Sequence, residues 1–377
     1  MYSRFKITRV FALALAAAFA VAGWAPARAR VGGGQGQPQQ QQQPKPKATP
    51  QDADEAIDDD DVVRFETDLA NVLFTAVDRN KRFVTTIKKE DVRVLEDGVE
   101  QDVFTFQRET DRPLSLAILV DVSASQERTL PEEKSAAQRF VDAVIRSRRD
   151  EVAVLSFTGD ATLEQGLTGN ASNVRRAIDR IEFVPPSGYI GGGTVINVPG
   201  TTPPISGDNQ RRAGSTAIWD AVWVTSRDVL SETSDKTRRA IILLTDGVDT
   251  SSRLKMSEAI DSALKADAII YSIGIGDDFF SGVEESSLRQ LSERTGGRAY
   301  FPRDETDLRA AFSQIQEELR SQYLLAYSPK NKAKDGTFRK VLIEVVNPDL
   351  QKQKLRLTYR QGYFAQSAAA PTPRRKE

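Results

Sequence analysis

The chain contains neither cysteine nor histidine among its 377 residues. Without cysteine there is no disulfide framework, no thiolate metal site and no lipid-modified cysteine anchor. Without histidine, Ser-His-Asp and Cys-His catalysis and every histidine-based zinc site are excluded. A metal site in this protein has to be built from oxygen donors. Charge of one sign is also lacking, with 52 Lys and Arg against 53 Asp and Glu. Long apolar runs are absent except near the N-terminus. There, Arg4, Lys6 and Arg9 precede the apolar stretch from Val10 to Ala25, and Ala27-Arg28-Ala29 follows. That order is the pattern of a secretory signal peptide, with residues 1–29 removed; an uncleaved anchor is the alternative. Cleavage would take Lys and Arg from 52 to 48 against 53 acids, leaving a formal charge of −5. Such mild acidity argues against nucleic-acid binding. It fits an exported protein, periplasmic or extracellular, with no stable membrane span once the signal is removed.

The most informative segment is Asp121-Val122-Ser123-Ala124-Ser125. It follows the apolar run from Leu114 to Val120, which reads as a buried strand. A carboxylate and two hydroxyls spaced two apart at a strand end can hold a hard divalent cation. The same residues could instead form a turn that caps the next helix. Downstream, Ala240 to Leu244 reads as a second buried strand ending in Asp246, and Gly247 permits a sharp turn. Thr216, in Gly214-Ser215-Thr216-Ala217-Ile218, stands just before a helical pattern. Ligands of open α/β sheets bind at the carboxyl ends of strands. Asp121, Ser123, Ser125, Thr216 and Asp246 are therefore expected on one rim, with Asp249 as an outer or turn residue.

This set resembles the metal-ion-dependent adhesion site of von Willebrand factor type A domains, over roughly residues 112–322. In that family a D-x-S-x-S loop, a distant Thr and a distant Asp hold one divalent cation, and all five positions have matching residues here. Thr245-Asp246-Gly247-Val248-Asp249-Thr250, the segment from Tyr323 to Pro329 and the segment from Arg360 to Ala365 also resemble the secreted bacterial (Acidobacterial) VWFA-related subgroup. The resemblance implies a divalent cation, Mg²⁺ first, with Mn²⁺ and Ca²⁺ sharing the same donor chemistry. It also implies a protein partner whose Asp or Glu completes the cation's coordination.

Strands and helices alternate between the flanks, which predicts an α/β fold with a doubly wound, mostly parallel sheet. Strands are expected at 114–120, 152–157, 162–167, 240–245, 268–273 and 298–301. Pro131 suits the first turn of a helix that places Ala136, Phe140, Val141, Val144 and Ile145 on one face. Trp219, Val222, Trp223, Ser226 and Leu230 form a second apolar stripe, and Leu308, Ala311, Phe312, Ile315 and Leu319 a third. All three are expected to face the core.

Residues 62–111 and 323–365 read instead as short alternating strands. Asp97-Gly98 is a hairpin signal, and Asn347-Pro348-Asp349 is a turn. Neither flank is large enough to stand alone, so a small β-sandwich built from both, with residues 112–322 inserted between them, is expected. Residues 30–61 are a Gly-, Gln- and Pro-rich linker and residues 366–377 a tail, neither able to bury a core. The Asp58–Asp61 run reads as part of that solvated linker rather than as a calcium site.

Gly191-Gly192-Gly193 lacks a following Lys or helix start, so no nucleotide is expected. The Gly- and Pro-rich stretch 184–214 is either a surface insertion or a loop that shapes access to the metal, with Tyr189 and Ile190 as its contact residues. Three functions follow for test: a metal-dependent binding module, an envelope component with an idle metal site, and, least favoured, a Mg²⁺-dependent hydrolase. The last needs a general base near neutrality, which a chain without histidine does not readily supply.

Overall fold

The computed structural model describes residues 69–109, 112–146, 148–185, 215–234, 236–276 and 283–367. The expected signal segment, the linker, Tyr189 and Ile190 lie outside these residues, as does the tail beyond Ser367.

At the centre is a six-stranded sheet. Its strands are β5 (Leu114–Asp121), β6 (Glu151–Phe157), β7 (Ala161–Thr168), β8 (Arg238–Thr245), β9 (Ala268–Gly274) and β10 (Ala299–Tyr300). The spatial order is β10-β9-β8-β5-β6-β7, parallel throughout except for β7, which runs antiparallel to β6 at the edge. Every residue of β5 and of β8 is buried. Central strands of a parallel sheet are covered on both faces and read as continuous apolar runs.

Alternate residues of β5 feed two cores. Leu116, Ile118 and Val120 pack beneath α1 (Leu130–Val144), α2 (Ala171–Arg180) and the last long helix, α6 (Glu305–Arg320). Ala117 and Leu119 face α3 (Ile218–Val224), α4 (Met256–Lys265) and α5 (Glu285–Thr295). The expected doubly wound sheet is therefore present, its strand bounds within two residues of those read from the sequence.

One stripe behaves differently from expectation. After Val224 the helix widens into a single π-type stretch, Thr225–Leu230. The Thr225 hydroxyl donates to Ala221 O at 2.7 Å and the Ser226 hydroxyl to Val222 O at 2.8 Å. Both residues are buried, while Trp223 is only half-buried and lies under the Arg227 guanidinium, 4.7 Å from its ring centre. Trp219, Val222, Ser226 and Leu230 keep the core face, and Trp223, beside Val222, stands at the edge of that stripe.

The flanks interleave. β1 (Ala70–Val77) pairs antiparallel with β11 (Tyr323–Tyr327) on one side and β13 (Arg356–Tyr359) on the other. β4 (Val103–Arg108) closes that sheet against β11. A second sheet has the order β14-β12-β2-β3, from Gly362–Phe364, Phe338–Val345, Val92–Glu96 and Val99–Gln101. Asp97 (φ 49°) and Gly98 (φ 83°) both adopt the positive φ of a tight hairpin turn between β2 and β3. Val72, Phe74, Tyr323, Leu325, Val94 and Ile343 from both sheets share one core. The sandwich is thus assembled from the two ends of the described chain. The α/β part leaves it after β4 and re-enters at β11, where Glu109 N donates to Gln322 O at 2.8 Å.

The opposite face of β1 meets the α/β part. Leu73 packs on the core under α6, and the Thr75 hydroxyl donates to Glu318 Oε1 at 3.2 Å. Asn347-Pro348-Asp349, expected as a simple turn, opens a short helix, α7 (Pro348–Lys352); Asn347 Oδ1 accepts from the N–H of Asp349 (2.9 Å) and Leu350 (3.5 Å). Asn as N-cap followed by Pro at the first helical position is a helix start as much as a turn. No helix among the described residues is long and apolar enough to cross a membrane.

Candidate metal centre

Three strand ends and the loops behind them build the rim. β5 ends in Asp121, which has no exposed surface. Its Oδ1 accepts the backbone N–H of Ser123 at 2.9 Å, which bends the chain out of the strand. Val122 N donates to Phe157 O, tying the bend to the end of β6. A 3₁₀ turn, Ala124–Gln126, follows and brings the Ser123 and Ser125 hydroxyls to 3.2 Å from each other. Gln126 is wholly buried beneath this loop. Its Nε2 donates to Ile275 O (3.2 Å), just beyond β9, and to Ser125 Oγ (3.4 Å). Its Oε1 accepts from the Thr129 hydroxyl at 2.9 Å.

β8 contributes the second carboxylate. Asp246 follows Thr245 directly, is nearly buried, and accepts Val248 N–H on Oδ1 at 3.0 Å. Thr245 donates its hydroxyl to Asp121 Oδ2 at 2.6 Å, linking the two strand ends. Gly247 turns the chain with φ 85°. A Cβ there would lie 2.9 Å from Leu288 Cγ and 3.0 Å from Glu284 O. Gly247→Ala should therefore cost about 2–4 kcal/mol, from the left-handed backbone and the crowding together. Urea unfolding measures it, and a loss below about 0.5 kcal/mol would contradict this account of the turn.

Thr216 reaches the same rim from the start of α3. Ala217 N donates to Thr158 O at 2.7 Å, and Thr216 N and O pair with Thr250 Oγ1 and N, both at 2.8 Å. These bonds use the Thr216 backbone and not its hydroxyl. Asp249 is a helix cap: its Oδ1 accepts Ile218 N–H at 2.8 Å and the Ser252 hydroxyl at 2.5 Å. Ser252 Oγ in turn accepts Trp219 N–H at 3.0 Å. Helix α3 starts after Ala217, which has no capping side chain, and is capped from a distant loop.

Electrostatics mark the centre as short of positive charge. Burial pushes the Asp121 carboxyl up to about 7, opposed by the hydrogen bond from Thr245 and reinforced by the charge of Asp246. Glu133, in the first turn of α1, is pushed up to about 8 by burial, opposed by the nearby Thr129 hydroxyl and reinforced by Asp121 and Asp246. Among the described residues, no three acidic groups converge closely enough to ligate one ion by themselves. The donor set is instead two carboxylates and hydroxyls, all hard oxygen atoms, which suits Mg²⁺, Mn²⁺ or Ca²⁺. A bound cation would supply the positive charge that two neighbouring buried carboxylates lack.

Thr245, Gln126 and Glu133 were not singled out in the sequence. Thr245 carried a signal, since it adjoins Asp246 at the strand end. Glu133 carried one too: it lies three residues before Ala136, so it extends the apolar stripe of α1 with an acid. Gln126 carried none.

Models of the von Willebrand factor type A domain match residues 116–198 and 205–315. The chain belongs to the von Willebrand factor type A domain family. An uncharacterized protein from Borreliella burgdorferi is 27% identical over 144 residues, which is 33% of this chain and 38% of that protein. Among solved structures, proximal thread matrix protein 1 from the mussel byssus is similar at 18% identity and a TM-score of 0.43, covering 60% of this chain and 51% of its own. A von Willebrand factor type A protein from Catenulispora acidiphila is similar at 13% identity and a TM-score of 0.42, covering 80% and 74%. The chain thus spans about half the length of the mussel protein and less of the Borreliella one.

Proposed function

We propose that the chain is an exported binding module. Asp121, Ser123, Ser125, Thr216 and Asp246 hold one divalent cation, Mg²⁺ by preference, and a coordination position left open takes an Asp or Glu of a protein partner. The observation that carries this reading is the join between β5 and β8. Two buried carboxylates, with Asp121 held up by burial and by the charge of Asp246, sit beside a pair of touching serine hydroxyls on the carboxyl rim of the sheet. The chain's own residues supply a rigid, water-poor cradle, because the loop is fixed below by Gln126 and the strand ends by Thr245. The cation would supply the charge that attracts the partner's carboxylate.

An idle site in a structural envelope component is the second reading, and metal dependence separates the two. Hydrolysis is disfavoured because Asp249, the extra acid beside the rim, is committed to capping α3. Glu133 has no exposed surface with which to meet a substrate.

Affinity capture from an envelope extract tests the proposal. Partner recovery should fall at least about tenfold when EDTA is added and when Ser123→Ala replaces the wild type. Undiminished capture in EDTA would place the interaction elsewhere, on the β-sandwich or on the 184–214 stretch. The bait recovered from the same fraction should begin at Arg30; a cytoplasmic chain that retains Met1 would refute export.

A further inference from the structure

Glu133 is the most anomalous side chain in the described structure. It is completely buried, and neither carboxyl oxygen has a hydrogen-bond partner. The nearby Thr129 hydroxyl donates to Gln126 Oε1 instead. Lys134, its neighbour in sequence, points away and donates from Nζ to Asp179 O (2.8 Å) and Ile181 O (2.7 Å), behind the end of α2. Among the described residues no Lys or Arg forms an ion pair with Glu133. Asp121, Asp246 and the adjacent Glu132 all disfavour its charged form, and the Thr129 hydroxyl, the neighbouring group that would favour it, is committed to Gln126 Oε1.

A buried carboxyl with no partner is costly, and native structures rarely keep one without a function. This one sits on the core-facing stripe of α1, where a Leu or Met would pack without that penalty. Its helix begins directly after the D-x-S-x-S loop, and the two site carboxylates are the rim groups it feels. A cation held by Asp121 and Asp246 would add an attraction to the Glu133 carboxylate that outweighs their repulsion.

We propose that Glu133 is an additional acidic group of the metal centre, an outer carboxylate that strengthens cation binding through the field it adds behind Asp121 and Asp246. It does not replace any of the five donors and acts as a positioning group for the charge they hold. This inference rests on the metal-binding reading above and extends it to a residue outside the D-x-S-x-S, Thr and Asp set. Removing one negative charge behind two ligating carboxylates weakens their hold on a divalent cation through the field alone, by about tenfold at the effective dielectric of a protein interior.

The test is calorimetric titration of the whole chain with Mg²⁺ and with Mn²⁺, beside melting of the metal-free protein. Glu133→Gln keeps the shape and removes the charge; Glu133→Met removes the buried polar group altogether. Both should bind metal about tenfold more weakly than wild type. Their metal-free melting temperatures should match or exceed wild type, most clearly for Glu133→Met. Glu133→Asp, which keeps a carboxylate, should recover part of the affinity. A purely structural Glu133 would give the opposite pattern, with variants that melt lower and bind metal as tightly as wild type; that result overturns the inference. If wild type itself binds neither ion at millimolar concentration, the metal reading falls and the inference with it. If wild type binds and the Glu133 variants bind equally well, only the inference falls.

Discussion

Asp121→Ala should erase the stabilisation of this protein by divalent metal while leaving its fold in place. A ligand that binds only the native state adds about 2.7 kcal/mol at one hundred times its dissociation constant. For a domain of this size each kcal/mol moves the melting temperature by about 2–4 °C, so wild type should gain roughly 5–10 °C with Mg²⁺ or Mn²⁺ under that condition. The variant should gain less than about 1 °C. Its metal-free melting point should lie within a few degrees of wild type, because two effects oppose each other. Thr245 and the Ser123 N–H lose their acceptor. The protein also no longer carries a buried carboxyl held up at about 7 beside Asp246. A full metal-induced shift in the variant, measured by scanning calorimetry, would remove Asp121 from the site.

Metal affinity should also climb steeply with pH. The Asp121 carboxyl is raised from 3.8 to about 7 by burial, against the Thr245 hydrogen bond and with help from Asp246, and Glu133 from 4.5 to about 8. A raised carboxyl stabilises the metal-free fold fully below its unfolded value, and that contribution is lost as pH rises through the folded value. The metal-free protein should therefore lose stability across the window from about pH 4 to about pH 8. A cation favours the ionised carboxylates, so its binding displaces protons within the same window and is opposed by acid. Each displaced proton makes the affinity up to about tenfold tighter per pH unit, levelling off above about pH 8. Because the carboxyls act on one another, the profile belongs to the group rather than to one residue. Mg²⁺ titrations at several pH values would show it, and an affinity flat from about pH 5 to pH 8 would mean that the buried carboxyls are not the ligands.

The parts of this fold that were legible are those in which local pattern and tertiary environment agree. β5 from Leu116 to Val120 and β8 from Ala240 to Leu244 are apolar throughout because both of their faces are covered, and a carboxylate ends or directly follows each strand. The short alternating strands of residues 62–111 and 323–365 foretold a sandwich, and Asp97-Gly98 foretold its hairpin. What the sequence did not disclose arises from partners far apart in the chain. β1 lies between β11 and β13, and nothing in the Ala70–Val77 segment names those neighbours. The cap of α3 comes from Asp249 and Ser252, so Ala217 before it reads as no cap at all. Trp223 was misplaced because burial follows the row Trp219, Val222, Ser226 and Leu230, which leaves Trp223 on its flank under Arg227. Glu133 was overlooked because an acid in the first turn of a helix is ordinarily a solvated partner of the helix dipole; only its burial sets it apart.

A crystal grown in Mn²⁺, with anomalous diffraction recorded at the manganese edge, tests the central claim most directly. The account predicts one strong anomalous peak, enclosed by the side chains of Asp121, Ser123, Ser125, Thr216 and Asp246 at the carboxyl rim of β5 and β8. An empty rim in millimolar Mn²⁺, or a peak held by other residues, would contradict it.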